Sequence, residues 1–93
     1  MANHPHIVKR TPHYTEPYDE RKLYASVYAA CLSVRTPVGE AEITAACICK
    51  DIKPWLGDKV EITSADIRRK TTQHLQVYNP DAAYMYERHR IIG

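Results

Sequence analysis

A proline and an aspartate two residues apart constrain the opening of this chain more than any other feature. Pro17 has no amide hydrogen and a fixed φ, and it biases Glu16 away from helical backbone angles, so the chain is extended up to Tyr18. Asp19 then offers a carboxylate that can cap a helix, and helix-forming residues follow it. The sequence therefore predicts an extended run that leads directly into a helix.

The residues around this run predict three short strands. Ile7–Arg10 is the first strand, Thr11–His13 is a polar turn, and the run that ends at Tyr18 is the second strand. Lys59–Ile62 alternates polar and apolar residues. Because two strands alone are marginal in water, we expect it to join the other two as a third strand.

Capping residues, helix breakers and apolar spacing predict four helices. Pro54 should end or kink the second of them, and Thr36–Gly39 should form the loop before it. The predicted bounds are Asp19–Val34, Glu40–Lys53, a third helix from a Thr63 or Ser64 cap to about Tyr78, and a fourth from Pro80 to about Ile91. Inward-facing residues are predicted to be Leu23, Val27, Cys31 (or Ala30) and Val34; Ile43, Ala46 or Cys47, and Cys49 or Ile52; and Ile67, Thr71, Leu75 and Tyr78.

The predicted elements define an α+β fold class. We expect a small four-helix bundle capped by a short three-stranded sheet, in two layers. A length of 93 residues suits a single small domain, predicted for residues 7–92, with residues 1–6 as a disordered tail.

Composition excludes several classes of protein. The net charge of +2 is too small for the basic stripe of a duplex-binding protein, yet it suits a small anionic ligand. No apolar run is long enough for a membrane span, and the start lacks the apolar centre of a secretory signal, so we expect a cytoplasmic protein. Cys31, Cys47 and Cys49 lack metal-ligand spacing and are interpreted as small apolar residues without a metal role. No nucleophile or acid–base pattern stands out, which predicts a protein that is not an enzyme.

Cationic side chains of the first strand and the first helix should lie close together. Lys9 and Arg10 end the first strand, and Lys22 and Ser26 share one helix face four residues apart. A helix N-terminus beside converging lysine and arginine residues is typical of a polyphosphate site. The alternative interpretation is a solvated, charge-balanced surface hairpin.

Several motifs, in order along the chain, resemble the ATP-cone, the nucleotide-sensing module of many ribonucleotide reductases and of a bacterial repressor of their genes. The family opens with a pattern of the type V-x-K-R-D-G-x-x-E-x-F-D-x-x-K-L. The matching residues here are Ile7 or Val8, Lys9–Arg10, Glu16, Tyr18–Asp19, Lys22–Leu23, then Ser26 with Ala29–Cys31, Thr63–Ile67 and Asn79–Tyr84. Two departures are that Thr11–Tyr14 replaces the tight Asp-Gly turn, and that the spacing from Lys9 to Glu16 is one residue longer.

The resemblance implies a free-standing regulatory domain that binds ATP or dATP, with Mg²⁺ able to accompany the nucleotide. It acts on a separate partner protein, related to ribonucleotide reductase, or self-associates through its helices. Lys9, Arg10 and Lys22 would neutralise the phosphates, Glu16 would orient a cation or contact the sugar, and Val8 and Leu23 would supply apolar surface for the base. The full set of implied nucleotide-binding residues is Val8, Lys9, Arg10, Glu16, Lys22, Leu23, Ser26, Thr63, Ser64 and Arg68.

Two other functions stay open. One is a protein-interaction or dimerisation module that kept the fold but lost the nucleotide, docking through Tyr24, Tyr28 and the last helix. The other is a nucleic-acid-binding accessory protein, which the mild net charge disfavours.

Overall fold

The computed structural model describes residues 6–8, 15–57 and 61–88. Four helices account for most of them. Their bounds are α1 Glu20–Ser33, α2 Val38–Gly57, α3 Ser64–Tyr78 and α4 Pro80–Arg88. None of these helices is both long enough and apolar enough to cross a lipid bilayer.

Helix α1 begins and ends as its local chemistry dictates. Asp19 is its N-cap, with Oδ1 accepting a hydrogen bond from the Arg21 amide at 3.0 Å, and the prediction of this cap is confirmed. At the other end Arg35 adopts a positive φ of 64°, and the Thr36 amide donates to the Cys31 carbonyl. This is the hydrogen bond of a Schellman-type helix end, where glycine is the usual residue.

Helix α2 departs from prediction at both ends and in its phase. It starts at Val38, so Gly39 lies inside it, and it continues through Pro54 to Gly57 instead of ending at Lys53. Pro54 lies in the last turn, so the helix loses one amide hydrogen bond near an end that would leave carbonyls unpaired anyway. Ile43, predicted to face inward, is 65% exposed.

Two cap residues set the bounds of α3 and α4. Thr63 Oγ1 accepts from the Asp66 amide at 3.0 Å, and Asn79 Oδ1 accepts from the Ala82 amide at 3.1 Å. The Asn79 amide group also donates to Thr36 Oγ1 at 2.9 Å, which joins the α3–α4 connection to the α1–α2 loop. Thr63 was one of the two predicted caps for α3, and this prediction is confirmed.

The described residues include three strands, of which three residues each are described: β1 His6–Val8, β2 Thr15–Pro17 and β3 Glu61–Thr63. We call them the strand ribbon. Their order is β2–β1–β3, with β1 antiparallel to β2 and parallel to β3.

The predicted α+β fold class, with a three-stranded sheet capping the bundle, is wrong. The described chain is overwhelmingly helical: the four helices form the core, and each strand contributes only three paired residues, which do not make a second layer. Within the described ranges, three paired residues per strand put only one or two side chains on each face, which is too few to cover a bundle. Residues 1–5 of the predicted tail, and the predicted turn at residues 11–13, lie outside the described residues.

The core lies between the four helices. α1 packs on α2 and α4, and α3 packs on α4 and α2. Its largest fully buried side chains are Ile48, Ile52, Leu75, Val27, Thr71 and Cys31. The ribbon adds Ile62, which belongs to the same cluster.

Candidate functional site

The register of the strand ribbon brings together the backbone of several predicted nucleotide-binding residues. Val8 is paired with Thr63 on one side and with Thr15 on the other. Glu16 is one step further along β2, opposite Ile7. Lys9 and Arg10 follow Val8 directly in sequence and lie outside the described residues. The β1 terminus that leads to them therefore lies beside the start of α3.

The start of α3 offers backbone donors to an anion. The amides of a first helical turn have no partner within the helix, and the helix dipole favours negative charge there. Thr63 Oγ1 accepts a hydrogen bond from one of these amides, that of Asp66. Arg69 binds the Asp66 carboxylate at 2.6 Å, and this contact, together with Thr63, lowers the pKa of Asp66. The acid nearest to the helix start is therefore neutralised by its own partner.

Of the three α1 residues predicted to bind the nucleotide, one is accessible to a ligand and two are buried. Lys22 is exposed, and it forms no ion pair with the described residues. Leu23 is only 5% exposed and belongs to the core, so its side chain offers little surface for the predicted contact with a base. Ser26 is buried, and its hydroxyl donates to the Leu23 carbonyl at 2.9 Å.

Two residues predicted to bind the nucleotide, the buried Ser26 and the half-buried Arg68, influence the same group, the hydroxyl of Tyr86. Burial raises the pKa of Tyr86, and Thr71, Ser26 and the charge of Arg68 offset part of that rise. Thr71 is fully buried, and its Oγ1 makes no hydrogen bond of ordinary geometry to the described residues; the same holds for Tyr18 Oη. Tyr86 was not predicted as a site residue, because the sequence alone does not show how α4 packs against α1 and α3.

Arg68 also lines a cleft of about 620 Å³ that opens along α3. Most of its lining residues are polar or charged, although the surface that they present to the cleft is slightly more apolar than polar. The walls are formed by Ala65, Arg68, Arg69, Thr72, Gln73 and Gln76 of α3 and by Glu87 of α4. Arg68 is the one member that the sequence had singled out, and no carboxylate of the described residues pairs with it.

A second polar contact, between α2 and α3, was also absent from the predictions. The Tyr78 hydroxyl donates to Asp51 Oδ2 at 2.6 Å, and His74 Nδ1 lies 3.7 Å from the same oxygen. One turn closer to the start of α3, the Lys70 ammonium lies 5.8 Å from the centre of a Trp55 ring. Tyr78 was predicted as a core residue, yet it is half exposed and uses its hydroxyl to bind α2.

The residues predicted for protein docking are partly engaged within the fold. Tyr24 and Tyr28 stack with ring centres 6.2 Å apart and pack against the core. Tyr84 of α4 is exposed, with the Arg88 guanidinium 4.2 Å from the centre of its ring. No group of three or more His, Cys, Asp or Glu residues in the described ranges is arranged to hold a metal ion.

No family model matches this chain, and the searches of curated proteins and of solved structures found no match either. The resemblance to the ATP-cone therefore stays a prediction that rests on the motifs in the sequence. Any function has to be argued from those motifs together with the geometry described above.

Proposed function

We propose that this chain is a regulatory domain that binds ATP or dATP and acts on a separate cytoplasmic partner. The observation that carries the proposal is the pairing of Val8 with Thr63, because it sets the residue before Lys9 and Arg10 beside the first turn of α3. Cationic side chains beside a helix N-terminus suit a polyphosphate. Lys22, exposed in the first turn of α1, supplies a further unpaired cation.

Regulation by such a domain needs no chemistry of its own. A ligand that binds only the folded chain stabilises it, and a ligand that binds one conformation better than another shifts the population towards it. Here a nucleotide would join the strand ribbon to α1 and α3. Its effect on a partner would pass through the packing of these helices on α2 and α4.

Calorimetric titration with ATP and dATP tests this proposal. A charge-assisted contact contributes about 1.5–3 kcal/mol, so Lys9→Ala and Lys22→Ala should each weaken binding about tenfold or more. Lys50→Ala is the matched control, because Lys50 is exposed on α2 and makes no ion pair with the described residues. If neither nucleotide gives heat with the wild type, or if both lysine variants bind like the control, the proposal is wrong.

A second candidate function is docking to a protein or to a second copy of the chain. Exposed apolar side chains favour it, above all Val77 at 83% and Ile43 at 65% exposure. Light scattering at several protein concentrations, with and without ATP, separates the two functions. A mass that rises with concentration and does not respond to nucleotide supports docking.

A further inference from the structure

The cleft between α3 and α4 begins at the first turns of α3, beside which the phosphate site is proposed. Ala65 and Arg68 form its near end, within the first turns of α3, and Gln76 forms its far end. At a rise of 1.5 Å per residue, the cleft follows α3 for about 16 Å. A volume of about 620 Å³ is in the range of small-molecule sites.

We propose that this cleft holds the nucleoside half of the nucleotide, with the base beside Gln73 and Gln76 and the ribose beside Glu87. The proposal rests on the function proposed above and adds the residues that choose among nucleotides. It also replaces Leu23 as the contact for the base, because that side chain is buried in the core.

Charge favours a ligand that is anionic at the near end of the cleft. Arg69 already binds Asp66 at 2.6 Å, which leaves Arg68 as the cleft's cation without a carboxylate partner among the described residues. A guanidinium can bind a phosphate through two parallel hydrogen bonds or stack on the plane of a base. Arg68 therefore suits the junction between the phosphates and the nucleoside.

The far end carries groups that can read a base. Gln73 and Gln76 are exposed, three residues apart on α3, and make no hydrogen bond to the described residues. A glutamine amide can pair with the N6 and N7 edge of adenine through one donor and one acceptor. Guanine presents two acceptors on that edge, so these amides favour adenine.

Glu87 provides the acceptor for the sugar. It reaches the cleft from α4, and it forms no ion pair with the described residues. A carboxylate that accepts from a ribose 2′-hydroxyl discriminates against a 2′-deoxyribose, which lacks that donor. The cleft is therefore expected to bind ATP more tightly than dATP.

Calorimetry on the full chain tests the inference with four probes: ATP, dATP, GTP and inorganic tripolyphosphate. Glu87→Ala should weaken ATP binding about tenfold and change dATP binding much less. The double variant Gln73→Ala/Gln76→Ala should reduce the preference for ATP over GTP. Neither variant should change the affinity for tripolyphosphate, which has no nucleoside. Glu40→Ala, an exposed glutamate in the first turn of α2, should behave as the wild type in every titration.

The outcomes separate this inference from the function beneath it. If ATP binds but both cleft variants keep the wild-type affinities and preferences, the nucleoside lies elsewhere and only the inference is overturned. If neither ATP nor dATP binds the wild type, both are overturned. Equal thermal unfolding midpoints for the variants and the Glu40→Ala control show that a lost affinity is not a loss of fold.

Discussion

The Tyr78 hydroxyl and the Asp51 carboxylate, 2.6 Å apart, bind the last turn of α3 to α2. His74, one turn earlier on α3, has its Nδ1 3.7 Å from the same carboxylate oxygen. These contacts lie at the surface and continue the packing of the two helices outward from the core. The titration of Tyr78 therefore reports on the packing of α3 against α2.

The hydrogen bond to Asp51, followed by burial, raises the pKa of Tyr78 to about 12 from an ordinary value of 10.0. The folded state thus holds this proton more tightly than the unfolded state. The resulting stability is complete below about pH 10 and is lost as the pH rises towards 12. We expect the difference in phenolate absorbance between the wild type and Tyr78→Phe to show a midpoint near pH 12. In an Asp51→Asn background the midpoint should fall towards 10; an unchanged midpoint would contradict the assignment.

Two isoleucines on α2 test the position of the core. Ile48 is fully buried and Ile43 is 65% exposed. Ile48→Ala should lower the free energy of unfolding by about 2–5 kcal/mol through lost burial and a cavity. Ile43→Ala should change it by less than about 0.5 kcal/mol. Urea denaturation measures the free energy of unfolding of both variants. Equal losses would show that the core face of α2 has been assigned wrongly.

The same pair shows why the phase of α2 was hard to predict. Apolar and small residues occur on more than one side of this helix, so Ile43 fitted a stripe of steps of three and four as well as Ile48 did. The packing partners decide between such stripes, and they come from α1 and α3. The caps Asp19 and Thr63 depend on local chemistry alone, and they were predicted correctly.

Gly39 and Arg35 each occupy a backbone conformation that would better suit another residue type. Gly39 lies inside α2, where an added Cβ would meet nothing within 4 Å, and Arg35 has a φ of 64°, which favours glycine. Gly39→Ala should stabilise the chain by about 0.4–1 kcal/mol, because the unfolded state loses freedom. Arg35→Ala keeps the strained φ and serves as the contrast with Arg35→Gly, which should be the more stable of the two. Thermal unfolding measures all three, and a less stable Arg35→Gly would contradict the assigned backbone angle.

The three cysteines should differ in reactivity. Cys31 and Cys49 are buried, and burial raises the pKa of both thiols, that of Cys49 to about 11. Cys47 is partly exposed. A thiol reagent at pH 8 should therefore modify one cysteine rapidly in the folded protein and all three in denaturant. Cys47→Ser should abolish the rapid phase, and a rapid phase that survives would show that a buried thiol is reachable.

The candidate site was predictable only where it depends on short-range pattern. Arg68 and Thr63 were predicted because the resemblance places nucleotide contacts around a helix start, and the structure has the start of α3 at Ser64. Gln73, Gln76 and Glu87 were not, since the cleft that joins them exists only when α4 folds back along α3. A polar residue on an exposed helix face gives no sign in the sequence of the helix that will lie beside it.

Asn79 joins two connections through one side chain, and its removal should cost more than an ordinary cap. It caps α4 at the Ala82 amide and donates to Thr36 Oγ1 at 2.9 Å. A lost cap costs about 1 kcal/mol and a lost partly buried hydrogen bond about 0.5–1.5 kcal/mol, so Asn79→Ala should destabilise by roughly 2 kcal/mol. Asn79→Ser should recover the part of the lost stability that comes from the helix cap, because serine is also a good N-cap residue. A double-mutant cycle of Asn79→Ala with Thr36→Val should give a coupling of about 0.5–1.5 kcal/mol in denaturant unfolding. Strict additivity would mean that the two loops are not joined through this contact.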